Sequence, residues 1–251
     1  MKKISYILLA VVVALYMVFT LIQRIMHPLS IVTKVTSASV SEGGTRIQTN
    51  GPVTGLDVYL VGFHPMKEHP ERQIETHHYC NQVNEDFTQC VLFDGNKKES
   101  KMNGVEYIIS EKLFESLPKE EKKYWHPRNG EILSGQLIAP GMSKSEEKSL
   151  MEEKMNTYGK TWYLWNVDNT GQAADNVPMG DPILAWSFNR DGEVAPGSIE
   201  KRDKKLNVDT AEIRSGRAAL KNLAHPQAGV DVLKGKFKGQ TQDIPGVTNE
   251  K

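Results

Sequence analysis

Near its start the chain carries an unbroken apolar run. Residues 4–22 contain only Ser5 and Thr20 as polar members, and the run is bounded by Lys2-Lys3 and Gln23-Arg24. At 1.5 Å per residue such a helix is about 28 Å long, close to the roughly 30 Å of bilayer hydrocarbon. A cleaved leader has a shorter apolar core that ends at small residues. Here the run ends in Phe19-Thr20-Leu21-Ile22, so the pattern predicts a retained membrane anchor over residues 1–28. Lys2 and Lys3 favour a cytoplasmic N-terminus, which makes the protein a single-pass cell-membrane protein with its folded part exported.

Residues 29–55 are rich in Ser, Thr, Gly and Val and read as a stalk. From there to about residue 217 the periodicity alternates between strand-like and helix-like. Strands are predicted over 56–63, 74–82, 87–94, 105–109, 132–139, 161–167 and 183–188, and the segment 74–94 forms a hairpin about Asn84-Glu85-Asp86. Ser110 caps a short helix to residue 117, and a second helix spans 119–125. Ser143 and Glu146 form a capping box for a third helix, which Gly159 stops. The order is irregular, so the fold class is α+β, with a mixed or antiparallel sheet, short flanking helices and one preceding transmembrane helix. Apolar residues thin out after Pro196, and residues 218–251 read as a polar, mobile tail.

Composition narrows the partners. The 31 basic and 31 acidic residues balance, which excludes a dedicated nucleic-acid binder. Without residues 1–28 the body holds 28 basic and 31 acidic groups, so it has no electrostatic affinity for anionic lipid. The body's attachment to a membrane therefore rests on residues 4–22.

The densest chemistry lies at His77, His78 and Cys80, with Cys90 five residues beyond the hairpin centre and Glu75 nearby. Alternation puts His78 and Cys80 on one face and His77 and Tyr79 on the other. Nitrogen and sulfur donors suit a zinc-type metal, but the spacing matches no standard ligand motif. Three readings stay open for the cysteines: metal ligands, small buried thiols, or a Cys80–Cys90 disulfide. Glu106 is read on the wet face of its strand, since burial would demand a partner such as a histidine. His64 and His69 flank a Pro-containing loop and are read as structural. No lipase-type nucleophile elbow, phosphate-cradling loop or dinucleotide loop is present in the sequence.

The ordered segments Gln73-Ile74-Glu75-Thr76-His77-His78-Tyr79-Cys80, Gln89-Cys90, Gly104-Val105-Glu106-Tyr107, Tyr124-Trp125-His126, Thr157-Tyr158-Gly159-Lys160-Thr161-Trp162 and Trp165-Asn166-Val167-Asp168 are more specific. Through them the chain resembles the oil-body-associated protein family over residues 56–217. The resemblance implies association with lipid bodies in plant members and no settled biochemical activity. It also implies a second histidine in relatives where this chain has Arg128, and cysteines at the motif positions of plant members in a reducing cytosol. The resulting expectation is a membrane-tethered protein that binds a lipidic ligand or an envelope partner and does not turn over a substrate. The alternative is a metal-assisted hydrolase that uses His77, His78, Cys80 and His126.

Overall fold

The computed structural model describes residues 51–166 and 175–250. The predicted anchor over 4–22, most of the stalk and the end of the strand expected over 161–167 lie outside them. Among the described residues no helix is long and apolar enough to cross a membrane.

Strands β1 (Val58–Pro65), β2 (Gln73–Asn84), β3 (Phe87–Phe93) and β4 (Met102–Ile109) form an antiparallel meander. Strict alternation in β3 buries Thr88, Cys90 and Leu92 and leaves Phe87, Gln89, Val91 and Phe93 half covered. The predicted hairpin is present, with Cys80 opposite Cys90, and Asp86 N donates to Asn84 Oδ1 at 3.0 Å in its turn. Helix α1 (Glu111–Ser116) starts under Ser110, whose hydroxyl accepts from Leu113 N at 3.2 Å. Next come α2 (Lys119–Lys122), β5 (His126–Pro127), α3 (Asn129–Leu133) and α4 (Lys144–Lys154), the last with the expected Ser143–Glu146 capping box. The chain continues through β6 (Tyr158–Tyr163), β7 (Ile183–Leu184), β8 (Arg190–Asp191), α5 (Ser198–Leu206), α6 (Thr210–Gly216) and β9 (Gln242–Asp243).

The sheet order is β1-β2-β3-β4-β6-β5, with β7 also on β6. Its two ends approach each other. Met66 bridges Ala185, and Trp186 N and Lys67 N donate to Pro65 O and Leu184 O, both at 2.9 Å, so the antiparallel sheet curls and has an inner face. The fold is therefore α+β, as expected, with every named strand pair antiparallel.

Three expectations fail for identifiable reasons. Residues 132–139 are not a strand: α3 covers Ile132 and Leu133, and only Ile138 bridges β1, at Val61. All eight of those residues are buried, and an apolar run buried on every side carries no period that separates helix from strand. Gly159 does not stop α4; the helix ends at Lys154, and Gly159 lies within β6. The segment read as a mobile tail is packed, because Leu220, Val230, Leu233, Ile244 and Val247 join Ile132, Leu133 and Leu137 in one core cluster. Two arginines just before it are buried as well, with polar heads that find partners in the core. Arg202 Nη1 donates to Gln136 O at 2.8 Å and Arg217 Nη1 to Ile132 O at 2.7 Å, which satisfies carbonyls that the core would otherwise strand.

Candidate functional site

Register places the chemistry. Along the inner face, Val58, Cys80, Cys90, Glu106 and Thr161 lie in one row across five strands. The row on one side contains Leu60, His78, Leu92, Gly104 and Tyr163, and the row on the other contains Thr88, Ile108, Gly159 and His126. His78, Glu106 and His126 thus converge from β2, β4 and β5. His64 enters from the end of β1, and Arg128 and Glu131 rise from the start of α3. All six are at most 3% exposed.

Arg128 Nη1 donates to Glu106 Oε1 at 2.6 Å. His126 Nε2 lies 3.6 Å from that oxygen, and His78 Nε2 lies 3.2 Å from Oε2. On the far side His64 Nε2 is 3.6 Å from Glu131 Oε1, and Arg128 Nη2 is 3.7 Å from Glu131 Oε2. Two glycines make the space. A Cβ on Gly159 would stand 2.6 Å from Glu106 Oε1 and from His126 Nε2, and one on Gly62 would meet Leu137 at 3.2 Å and His78 at 3.9 Å. The outer partners are also specific. His64 Nδ1 is 3.0 Å from the Tyr163 hydroxyl, which also meets Thr76, and His126 Nδ1 is 3.3 Å from Pro127 O. Gln227, in the supposed tail, accepts from Arg128 N at 3.2 Å and from Asn129 N at 3.1 Å, which holds the entry to α3.

Electrostatics follow from burial and pairing. Burial acts to raise the Glu106 carboxyl, but Arg128 and His78 outweigh it and hold the group well below the ordinary carboxylate range. Glu131 is lowered in the same way, with burial opposing and Arg128 and His64 prevailing. Burial depresses His78, and it brings His126 down to about 4 against the pull of Glu131 and Glu106. Both rings are therefore neutral near pH 7, with lone pairs available. Arg128 is held protonated: burial opposes the charge, and Glu106 and Glu131 override it. With so many ionic groups enclosed, several atoms still lack a hydrogen-bond partner among the described residues: both ring nitrogens of His78, Glu106 Oε2, both Glu131 carboxylate oxygens, and Arg128 Nε and Nη2.

The four metal candidates taken from sequence do not meet as a set. His78 and His126 do meet, at Glu106. His77 is on the opposite face, as alternation requires, against Tyr59 Oη at 2.6 Å and Glu75 Oε1 at 3.2 Å, with Lys205 beside them. Cys80 is joined to Cys90 in a disulfide with a Cα–Cα distance of 4.0 Å and offers no thiolate. Glu106 is wholly buried, not on a wet face, and its demanded histidine partners are there. Sequence reasoning missed His64, Arg128 and Glu131. Glu106 alternates with Gly104 and Ile108, a pattern that could have marked its inward direction, whereas nothing local marks Arg128.

The outer face of the sheet is different. Tyr59 stacks on Tyr79 at 5.1 Å between ring centroids, Tyr79 meets Phe93 edge-on at 5.5 Å, and Phe87 stacks on Tyr107 at 5.8 Å. Beside this aromatic row is a groove of about 250 Å³ lined by Pro52, Val53, Leu56, Gln89, Cys90, Val91, Val105 and Tyr107. Val53 is 75% and Tyr107 40% exposed there.

Fold and site together define an α+β protein whose curled antiparallel sheet encloses an ionic, histidine-rich interior and turns an aromatic face outward. A profile for a protein family of unknown function (DUF1264) matches residues 50–221, and the chain belongs to that family. It is 36% identical over 199 residues to "Oil body-associated protein 2A" of Zea mays, covering 78% of this chain and 77% of that protein. It is 32% identical over 213 residues to "Oil body-associated protein 1B" of Arabidopsis thaliana, covering 84% and 86%. With "Oil body-associated protein 2B" of the same plant it is 34% identical over 196 residues, covering 77% and 78%. No solved structure matches the chain.

Proposed function

We propose that the protein is a membrane-tethered, lipid-associating member of this family, held by residues 4–22 with its N-terminus in the cytoplasm and its folded body exported. The observation that carries the lipid-associating part is the apolar groove on the outer sheet face, where Val53, Val91, Val105 and Tyr107 sit side by side. Exposed apolar surface gathered in one patch marks a binding face more often than scattered single residues do. A lipid surface is the occupant favoured here because an apolar run of bilayer-spanning length precedes the body and because the relatives are named for oil bodies. The near balance of charge makes the contact apolar rather than electrostatic. The Cys80–Cys90 disulfide supports the exported placement, since such bonds persist in oxidising compartments.

The test is flotation of the chain lacking residues 1–28 with phosphatidylcholine vesicles and with phospholipid-coated triacylglycerol droplets. Binding to either is expected to survive high salt and to drop several-fold in the double variant Val91→Ser with Tyr107→Ser. A folded wild-type body that stays wholly in the aqueous fraction would overturn the lipid-associating role.

A further inference from the structure

We infer that His64, His78, His126 and Glu106 form an internal site for one divalent transition-metal ion of the zinc class, which clasps β1, β2, β4 and β5 from inside the curled sheet.

Geometry supports this first. His64, Glu106 and His126 each offer a donor atom, all within 4.8 Å of one another, and His78 Nε2 is 3.2 Å from Glu106 Oε2. Imidazole nitrogen and carboxylate oxygen bind zinc at about 2.0–2.2 Å, so neighbouring donors on a tetrahedron stand about 3.3 Å apart. The two histidine–carboxylate separations are close to that edge, 3.2 Å from His78 to Oε2 and 3.6 Å from His126 to Oε1, one histidine at each carboxylate oxygen.

The unpartnered atoms support it independently. Buried polar groups are almost always paired, and the exceptions require an explanation. His78 is wholly buried; its Nδ1 has no hydrogen-bond partner, and its Nε2 stands 3.2 Å from Glu106 Oε2 without an aligned hydrogen bond. A cation between them satisfies both at once.

The outer contacts have the form that metal-binding histidines use, with the far ring nitrogen held by a hydroxyl or a backbone carbonyl and the near one left for the ion. Tyr163 serves His64 in this way, and Pro127 O serves His126. Binding requires the Thr161 hydroxyl, 3.1 Å from His126 Nε2, to rotate away. Arg128 does not block the site, because its bond is to Oε1 and leaves Oε2 open. Two carboxylates and one guanidinium total one negative charge, which attracts a cation. A shell of imidazoles and one carboxylate without thiolate selects zinc-class ions over calcium and magnesium. Four protein donors in a closed interior define a structural rather than a catalytic centre, and uptake belongs to folding.

The experiment uses the full chain in detergent with its disulfide intact. Metal content is read by elemental mass spectrometry as purified, and again after unfolding in chelator and refolding with zinc or cobalt alone. One ion per chain is expected, with the visible bands of tetrahedral cobalt and no sulfur charge-transfer band. His126→Gln and Glu106→Gln are expected to weaken uptake about tenfold or more, while His77→Gln, on the opposite face, leaves it unchanged. Zinc-edge X-ray absorption on the wild type needs no variant and is expected to read imidazole scattering and no sulfur. A folded chain that takes up no metal in either preparation, a sulfur shell, or uptake abolished by His77→Gln would each overturn the site. Lipid flotation is read separately, so failure of one proposal leaves the other standing.

Discussion

Glu106 and Arg128, 22 residues apart and both fully buried, share a 2.6 Å hydrogen bond at the centre of the curled sheet. Neither charge is tolerable in such a place alone. Removing one member of a buried pair typically costs about 3–5 kcal/mol, because the other is left uncompensated. Arg128→Met is therefore expected to lower stability by about that amount, and the double variant Arg128→Met with Glu106→Gln by less than the sum of the two single changes. Urea denaturation of the four proteins measures the coupling, and strict additivity would deny it.

Gly159 lies where β6 passes closest to the acid and the imidazole. A methyl group there meets Glu106 Oε1 and His126 at 2.6 Å, so Gly159→Ala is expected to destabilise by about 1–3 kcal/mol through overpacking. Gly216→Ala, which meets nothing within 4 Å, is the control and is expected to be neutral or slightly stabilising. Equal denaturation midpoints for the two variants would remove Gly159 from the account.

Acid is expected to unfold the metal-free protein early. His126 falls from an ordinary 6.5 to about 4 on folding, mainly by burial, so between those values the unfolded chain binds a proton that the native chain does not. Stability from this group is complete above pH 6.5 and declines as pH falls, by on the order of 3 kcal/mol by pH 4. His78 shifts in the same direction. Glu106 and Glu131, depressed below 4.5, withdraw their contributions only below that value. Thermal melts in chelator from pH 8 to pH 4 check this; a flat Tm from 7 to 5 would contradict it.

Alkylation of the folded, unreduced protein is expected to label no cysteine, since both are joined. Replacing the pair by Cys80→Ala with Cys90→Ala is expected to cost about 2–3 kcal/mol, as for other short closed loops, and to leave metal uptake intact.

A chain ending at residue 221, where the family profile stops, is expected not to fold. It loses Val230, Leu233, Ile244 and Val247 from the core and Gln227 from the entry to α3. Circular dichroism of the truncated chain reads the outcome, and a native-like cooperative melt would refute it.

The sequence by itself determined what depends on neighbours along the chain. Alternation and the Asn84-Glu85-Asp86 turn set the 74–94 hairpin, and with it the register that puts Cys80 opposite Cys90 and the opposite directions of His77 and His78, but not whether the cysteines are bonded. Ser110 and Ser143 marked their helix starts through hydrogen bonds three residues long. The tertiary structure alone decided which polar residues are inside. Curling of the sheet brings β1 and β5 to the same interior point, so His64 and His126, 62 residues apart in sequence, face Glu106 together. Arg128 supplies the charge that makes this burial possible. No local pattern encodes that, because the free energy of a buried charge depends on a partner that only the fold supplies.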